Sequence, residues 1–223
     1  MLKNTVWILK IVLGYAIISV AVFLMLRISA NYLVFQDDVQ FLVFKHDYLD
    51  IKVWKFAFYT HAFTAVICLF AGFTQFSKDL LIQFPRLHRV LGRIYVFNIL
   101  IINFPAAMIM AIYANGGLLA KLAFLILNIL WFVFTFKAVQ FALKGKFKLH
   151  RDFMIRSFAL TFSAITLRTW KVILTNTSII DVDDIYVAEA WLGFLPNLVL
   201  AEIWIRSKIS SAGTDQSILH NTK

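Results

Sequence analysis

LLAKLAFLILNILWFVFTFKAVQFAL, residues 118–143, decides the fold class of this chain. Only Lys121 and Lys137 interrupt it. A helix crosses the hydrocarbon core of a bilayer in about 20 residues, so the stretch reads as a membrane span. Outward from it, apolar runs of similar length lie at about 6–26, 53–76, 90–114, 153–174 and 186–205, which makes six. Backbone in lipid must satisfy its own hydrogen bonds, so every run is expected to be helical. The first run carries Lys10 and is too long for a signal-peptide core, so it reads as a retained span although Ile28-Ser29-Ala30 imitates a cleavage site. The class expected is all-α, a polytopic membrane bundle of six transmembrane helices.

The composition agrees. Of 223 residues, 61% are apolar and 15% charged, and the mean hydropathy is +0.79. The spans consume almost the whole chain and leave no room for a soluble domain of about 100 residues. One membrane domain is expected over 1–206, with its core at 53–174, followed by a polar, disordered tail at 207–223. The net charge of +10 falls in loops that flank spans, so topology accounts for it without nucleic acid, and attraction to anionic lipid is its natural consequence. Cys68, alone inside an apolar run, reads as a packing residue.

Positive loops stay cytoplasmic. The loop between spans two and three holds Lys78, Arg86, Arg89 and Arg93 against Asp79; that between four and five holds Lys144, Lys146, Lys148, Arg151 and Arg156 against Asp152. The alternate loops are the uncharged Asn115-Gly116-Gly117 and the acidic Asp181, Asp183 and Asp184. Both termini are therefore expected inside. The long first external loop, 27–52, mixes Asp37, Asp38, Lys45, Asp47 and Asp50 with Phe35, Phe41, Leu42 and Phe44, which suits a surface-lying connector or a lid.

Spans three and five open alike, with Leu87-His88-Arg89 then Arg93, and Leu149-His150-Arg151 then Arg156. Each opening follows an out-to-in span and a basic loop, so spans two to five read as a four-helix core built from two repeated hairpins.

At these residues the chain resembles a family of bacterial membrane proteins, domain of unknown function 2306. The likeness rests on His61, on Gly72-Phe73-Thr74-Gln75-Phe76, and on Pro85-Arg86-Leu87-His88-Arg89 with Gly92-Arg93-Ile94-Tyr95. It continues in His150-Arg151-Asp152-Phe153-Met154-Ile155-Arg156-Ser157 and Thr166-Leu167-Arg168. It covers about 55–175, leaving the first and last spans outside. The resemblance implies the inner membrane of a bacterium and assigns no activity.

Helical spacing places His150, Ser157, Thr161, Ala164 and Arg168 on one stripe of span five, and His61, Ala65, Cys68, Gly72 and Gln75 on one of span two. Both stripes are small or polar, and lipid would be met by bulkier groups, so both are expected to face inward. His88, Gly92 and Tyr95 form a shorter stripe on span three, and Asn98, Asn103 and Asn128 lie deeper.

The function expected from this cluster is that of a single b-type-haem or quinone-linked redox, electron-transfer protein; the alternative is an anionic-lipid or phosphate-ligand binding accessory protein, and a third reading is purely structural. His88 and His150 could ligate one b-type haem, with Arg86, Arg89, Arg93, Arg151 and Arg156 near its propionates, a layout similar to that of transmembrane cytochromes b. Those proteins usually use four His; here span four has none, so His61 lacks an axial partner. The same Arg and His at helix starts also suit a phosphate or anionic lipid headgroup. The third reading is that they only anchor helix ends. On the external side, His61, Arg168 and Glu189 suit either a site for a quinone or proton, or a structural Arg168–Glu189 ion pair, with Glu202 left to serve the internal Arg cluster. No glycine-rich phosphate loop, His-Glu-x-x-His motif or cysteine pair is present in the sequence, so soluble-enzyme chemistry is not expected. Redox partner and oligomeric state are not written in it.

Overall fold

The computed structural model describes residues 2–76, 78–177 and 181–220, and among these it is helical with no strand. The chain forms two compact units, 1–113 and 114–223.

In the first unit, α1 (Leu2–Ala30) leads through a 3-10 turn (Asn31–Val34) and a second 3-10 segment (Gln40–Tyr48) to α2 (Lys52–Thr74). The Ser29 hydroxyl donates to the Ala62 carbonyl at 2.8 Å and ties α1 to α2. The 27–52 loop packs on its own unit through a few side chains. Leu42 is buried with Tyr32, Trp54 and Phe58, and Lys45, 2% exposed, donates to the Tyr113 carbonyl at 2.5 Å. Its ammonium stands 5.0 Å from the Tyr48 ring and 5.5 Å from that of Phe41, so ring faces take over part of the role of water.

After α3 (Lys78–Gln83) comes one long span made of α4 (Pro85–Phe97), a π-helical stretch (Asn98–Asn103) and α5 (Phe104–Ile112). The widening has a cause in the sequence. Pro105 has no N–H to give to the carbonyl four residues back, and its ring crowds that carbonyl; the Phe104 N–H bonds to Ile99, five back. Asn98 donates to the Thr64 carbonyl at 2.7 Å, and Asn103 to the Thr64 hydroxyl at 3.0 Å and to Asn98 Oδ1 at 2.7 Å. These amides join the span to α2.

The second unit begins at the Asn115–Gly117 turn. Gly116 has φ 76°, and a Cβ there would lie 2.9 Å from the Tyr186 ring, so both backbone and packing demand glycine. Then follow α6 (Gly117–Leu143), α7 (Phe147–Thr161), α8 (Ser163–Thr177), α9 (Val182–Leu192) and α10 (Leu195–His220). α7 packs along α6 over a polar seam. Within it Thr135 and Ser157 share a 2.7 Å hydroxyl bond, and Trp131 Nε1 donates to Thr161 at 2.9 Å.

Among the described residues, five helices are long and apolar enough to cross a membrane: 12–34, 52–72, 85–112, 117–143 and 184–208. The fifth expected span, 153–174, is instead occupied by α7 and α8, two 15-residue helices meeting at Phe162. No Pro or Gly sits there. Ser163 turns its hydroxyl onto the Leu160 carbonyl, a side-chain back-bond of the kind that bends helices. The last span also breaks, at Gly193-Phe194, because Pro196 has no N–H to offer Leu192.

The two breaks are bonded together. Asn197 Nδ2 reaches the Ala159 carbonyl (3.2 Å), the Thr166 hydroxyl (2.9 Å) and the Gly193 carbonyl (3.1 Å), and the Thr166 hydroxyl also bonds the Gly193 carbonyl. α10 continues to His220 through most of the expected tail; residues 221–223 lie outside the described residues.

Candidate functional site

The repeated His-Arg pairs stand at helix starts of the same register. Phe84 caps α4 and Lys146 caps α7, with ψ of 59° and 66°, and neither start has a side-chain cap. The His88 N–H bonds to Phe84 (3.1 Å) and the His150 N–H to Lys146 (2.9 Å), which makes each His the fourth helical residue and each following Arg the fifth. The uncapped amides before them point out of the helix end with the positive pole of its dipole.

Each unit carries one of these starts, and their surroundings differ. In the first unit, Arg86, Arg89 and Arg93 are exposed on α4 at positions i, i+3 and i+7, one face of the helix. None of the three forms an ion pair among the described residues. Exposed Leu87, Val90, Ile94 and Phe97 stand between and beyond them. His88 is half-buried. Gln75 packs on α4, its Oε1 2.9 Å from where a Cβ on Gly92 would lie. That contact brings Gln75 within one turn of His88 in the helix sequence. His61, half-buried on α2, is 14 residues before Gln75, about 21 Å along a helix, so it does not join the group. Lys78 and Asp79, placed in the same loop by sequence, lie outside the described side chains.

In the second unit the cations are already engaged. Arg151 Nη2 lies 2.9 Å from Oδ1 of Asp152, which is buried. Arg156 Nε and Nη2 donate to the two carboxylate oxygens of Glu202 at 2.5 and 3.0 Å, with the guanidinium 4.9 Å from the Phe153 ring. The sequence had offered Glu202 to the Arg cluster, and Arg156 is the member that takes it. His150 Nδ1 lies 2.9 Å from the Ala138 carbonyl; an N–H must stand between them, so in the neutral imidazole Nε2 carries the lone pair.

Arg168 is exposed, and its Nη1 donates to the Ala164 carbonyl at 2.7 Å. The stripe therefore holds through Ser157 and Thr161, both buried, but does not carry Arg168 inward. The break at Phe162 interrupts the helical phase on which that stripe depended. A protein-only metal centre would need about three donors, and no three His, Cys, Asp or Glu converge among the described residues. Asp152, unremarked as a site residue in the sequence, is the buried acid next to His150, and its place directly after the His-Arg pair was the available signal.

The fold and these charged helix ends define a multi-pass helical membrane protein. The chain belongs to the family described as "Predicted membrane protein (DUF2306)", whose model matches residues 58–205 and so reaches beyond the resemblance read from sequence to include the last span. No curated protein and no solved structure matches the chain.

Proposed function

We propose that the protein is an integral membrane binding protein for anionic phospholipid headgroups, held by Arg86, Arg89 and Arg93 of α4 at the cytoplasmic surface of a bacterial inner membrane. One observation carries the reading. These three guanidiniums are exposed on one helical face without an ion pair among the described residues, whereas Arg151 and Arg156 are occupied by Asp152 and Glu202. Apolar neighbours on α4 would sit among acyl chains while the guanidiniums meet phosphate, which Arg binds in bidentate fashion. The uncapped start of α4 adds anion-seeking amides.

Native mass spectrometry of the full chain in detergent, titrated with phosphatidylglycerol or phosphatidylcholine, tests it. Preference for the anionic lipid is expected. Each of Arg86→Ala, Arg89→Ala and Arg93→Ala should weaken that preference by roughly fivefold, from about 1 kcal/mol per basic residue near an anionic surface, while Arg156→Ala leaves it unchanged. An excess of inorganic phosphate should not displace the lipid; if it does, the ligand is free phosphate. Equal binding of the two lipids refutes the reading.

A second reading has its own support. With Nδ1 committed to a backbone carbonyl, His150 presents the tautomer of an axial haem ligand. The guanidiniums beside it are already paired, which leaves a propionate fewer partners and ranks haem b second. A quinone has no specific observation in its favour.

A further inference from the structure

The last span holds a carboxyl that lipid binding does not use. Glu189, on α9, is 2% exposed, and its Oε2 has no hydrogen-bond partner. Among the described residues it closes no ion pair, including the one expected with Arg168. The charges that act on it come from α8, Lys171 ahead of Arg168, and both of those side chains are exposed. α6, which carries Lys121 and Lys137, also packs on α9, and neither lysine forms an ion pair with Glu189 among the described residues. On α10, Glu202 is taken by Arg156. On its own helix the other ionisable residues are Asp183, Asp184 and, one turn before Glu189, Tyr186.

The second observation is where Glu189 stands. Its backbone carbonyl accepts from the Gly193 N–H at 2.8 Å, which puts it one turn before the break where Gly193, Thr166 and Asn197 join two interrupted helices. Interrupted helices with a buried acid are the usual setting of proton and ion sites in membranes, because freed backbone groups and the acid supply polar partners where lipid has none.

We infer that Glu189 is a proton-binding site within the last span. One O–H bond forms on the carboxylate as water gives up a proton, the local charge rises by one, and the reverse step returns the proton to water. The rival account makes Glu189 a permanent carboxylate that balances Lys171 and Arg168 at a distance, and the same measurement separates the two.

The test treats the purified full-length protein with dicyclohexylcarbodiimide, an apolar reagent that modifies protonated carboxyls in water-poor surroundings, and maps the adduct by peptide mass spectrometry. Glu189 is expected to be modified several-fold more than Glu202 or Asp152, and several-fold less as the pH is raised. A water-soluble carbodiimide should modify exposed Asp38, Asp47 and Asp50 and spare Glu189. Glu189→Gln, close in shape, should remove the adduct without moving the apparent Tm. An unmodified Glu189 under mildly acidic conditions, or modification that does not change with pH, overturns the inference, and neither outcome depends on the variant folding.

Discussion

Removing Arg156 tests whether its guanidinium serves the fold or a ligand. The two parallel bonds to Glu202, at 2.5 and 3.0 Å, fix both side chains, and their exposures of 18% and 38% make the pair neither surface nor core. Exposed pairs contribute about 0–1 kcal/mol, and breaking a fully buried one costs about 3–5 kcal/mol. At this intermediate exposure, with bidentate geometry, the coupling should be about 1–2 kcal/mol, a factor of roughly 5–30 in the folding equilibrium. For a chain of this size that is a shift of roughly 2–8 °C in Tm. The assay is thermal unfolding in detergent of Arg156→Ala, Glu202→Gln and the double variant. The double variant should lose less than the sum of the singles by the coupling energy. Arg156→Lys should recover only part of it, since an ammonium cannot make both parallel bonds. Strictly additive losses would show that the two groups do not act on each other, and would return Arg156 to the pool of cations free for a ligand.

Two further outcomes follow from packing and from the His150 tautomer. Gly193→Ala places a Cβ 2.9 Å from the Glu189 carbonyl and 3.0 Å from Leu167 Cβ, neither of which is a flexible tip, so a loss of about 1–3 kcal/mol is expected; wild-type stability by thermal unfolding would mean that α8 and α9 are not this close. If haem b is bound, a dithionite-reduced minus oxidised spectrum of the purified protein should show an α-band that disappears in His150→Ala, and a colourless preparation rules haem out.

Much of the site's frame was legible before any coordinates. The matching starts at Leu87-His88-Arg89 and Leu149-His150-Arg151 are local patterns, and each helix begins in the register that the repetition suggested. The Asn115-Gly116-Gly117 turn was legible for the same reason, since positive φ at Gly116 and Gly117 is a property of those residues themselves. The break at Phe162 was not. Ser163 is unremarkable in a helix until its hydroxyl is seen on the Leu160 carbonyl, and a stripe projected across that break carried Arg168 to the wrong side.

Loop 27–52 shows the same division, because its composition permitted a surface connector while burial of Leu42 and Lys45 required partners on α2 and at the end of α5. By itself, then, the sequence determined the class of solvent, the helical content and the places where charge accumulates, because hydropathy and the 1.5 Å rise act over one short stretch at a time. Tertiary structure alone decided which cations remain open. Arg156 meets Glu202 across 46 residues, while the guanidiniums of α4 find no acid among the described residues. Pairing depends on which helices bring opposite charges within about 4 Å of each other, and a one-dimensional pattern does not contain that distance.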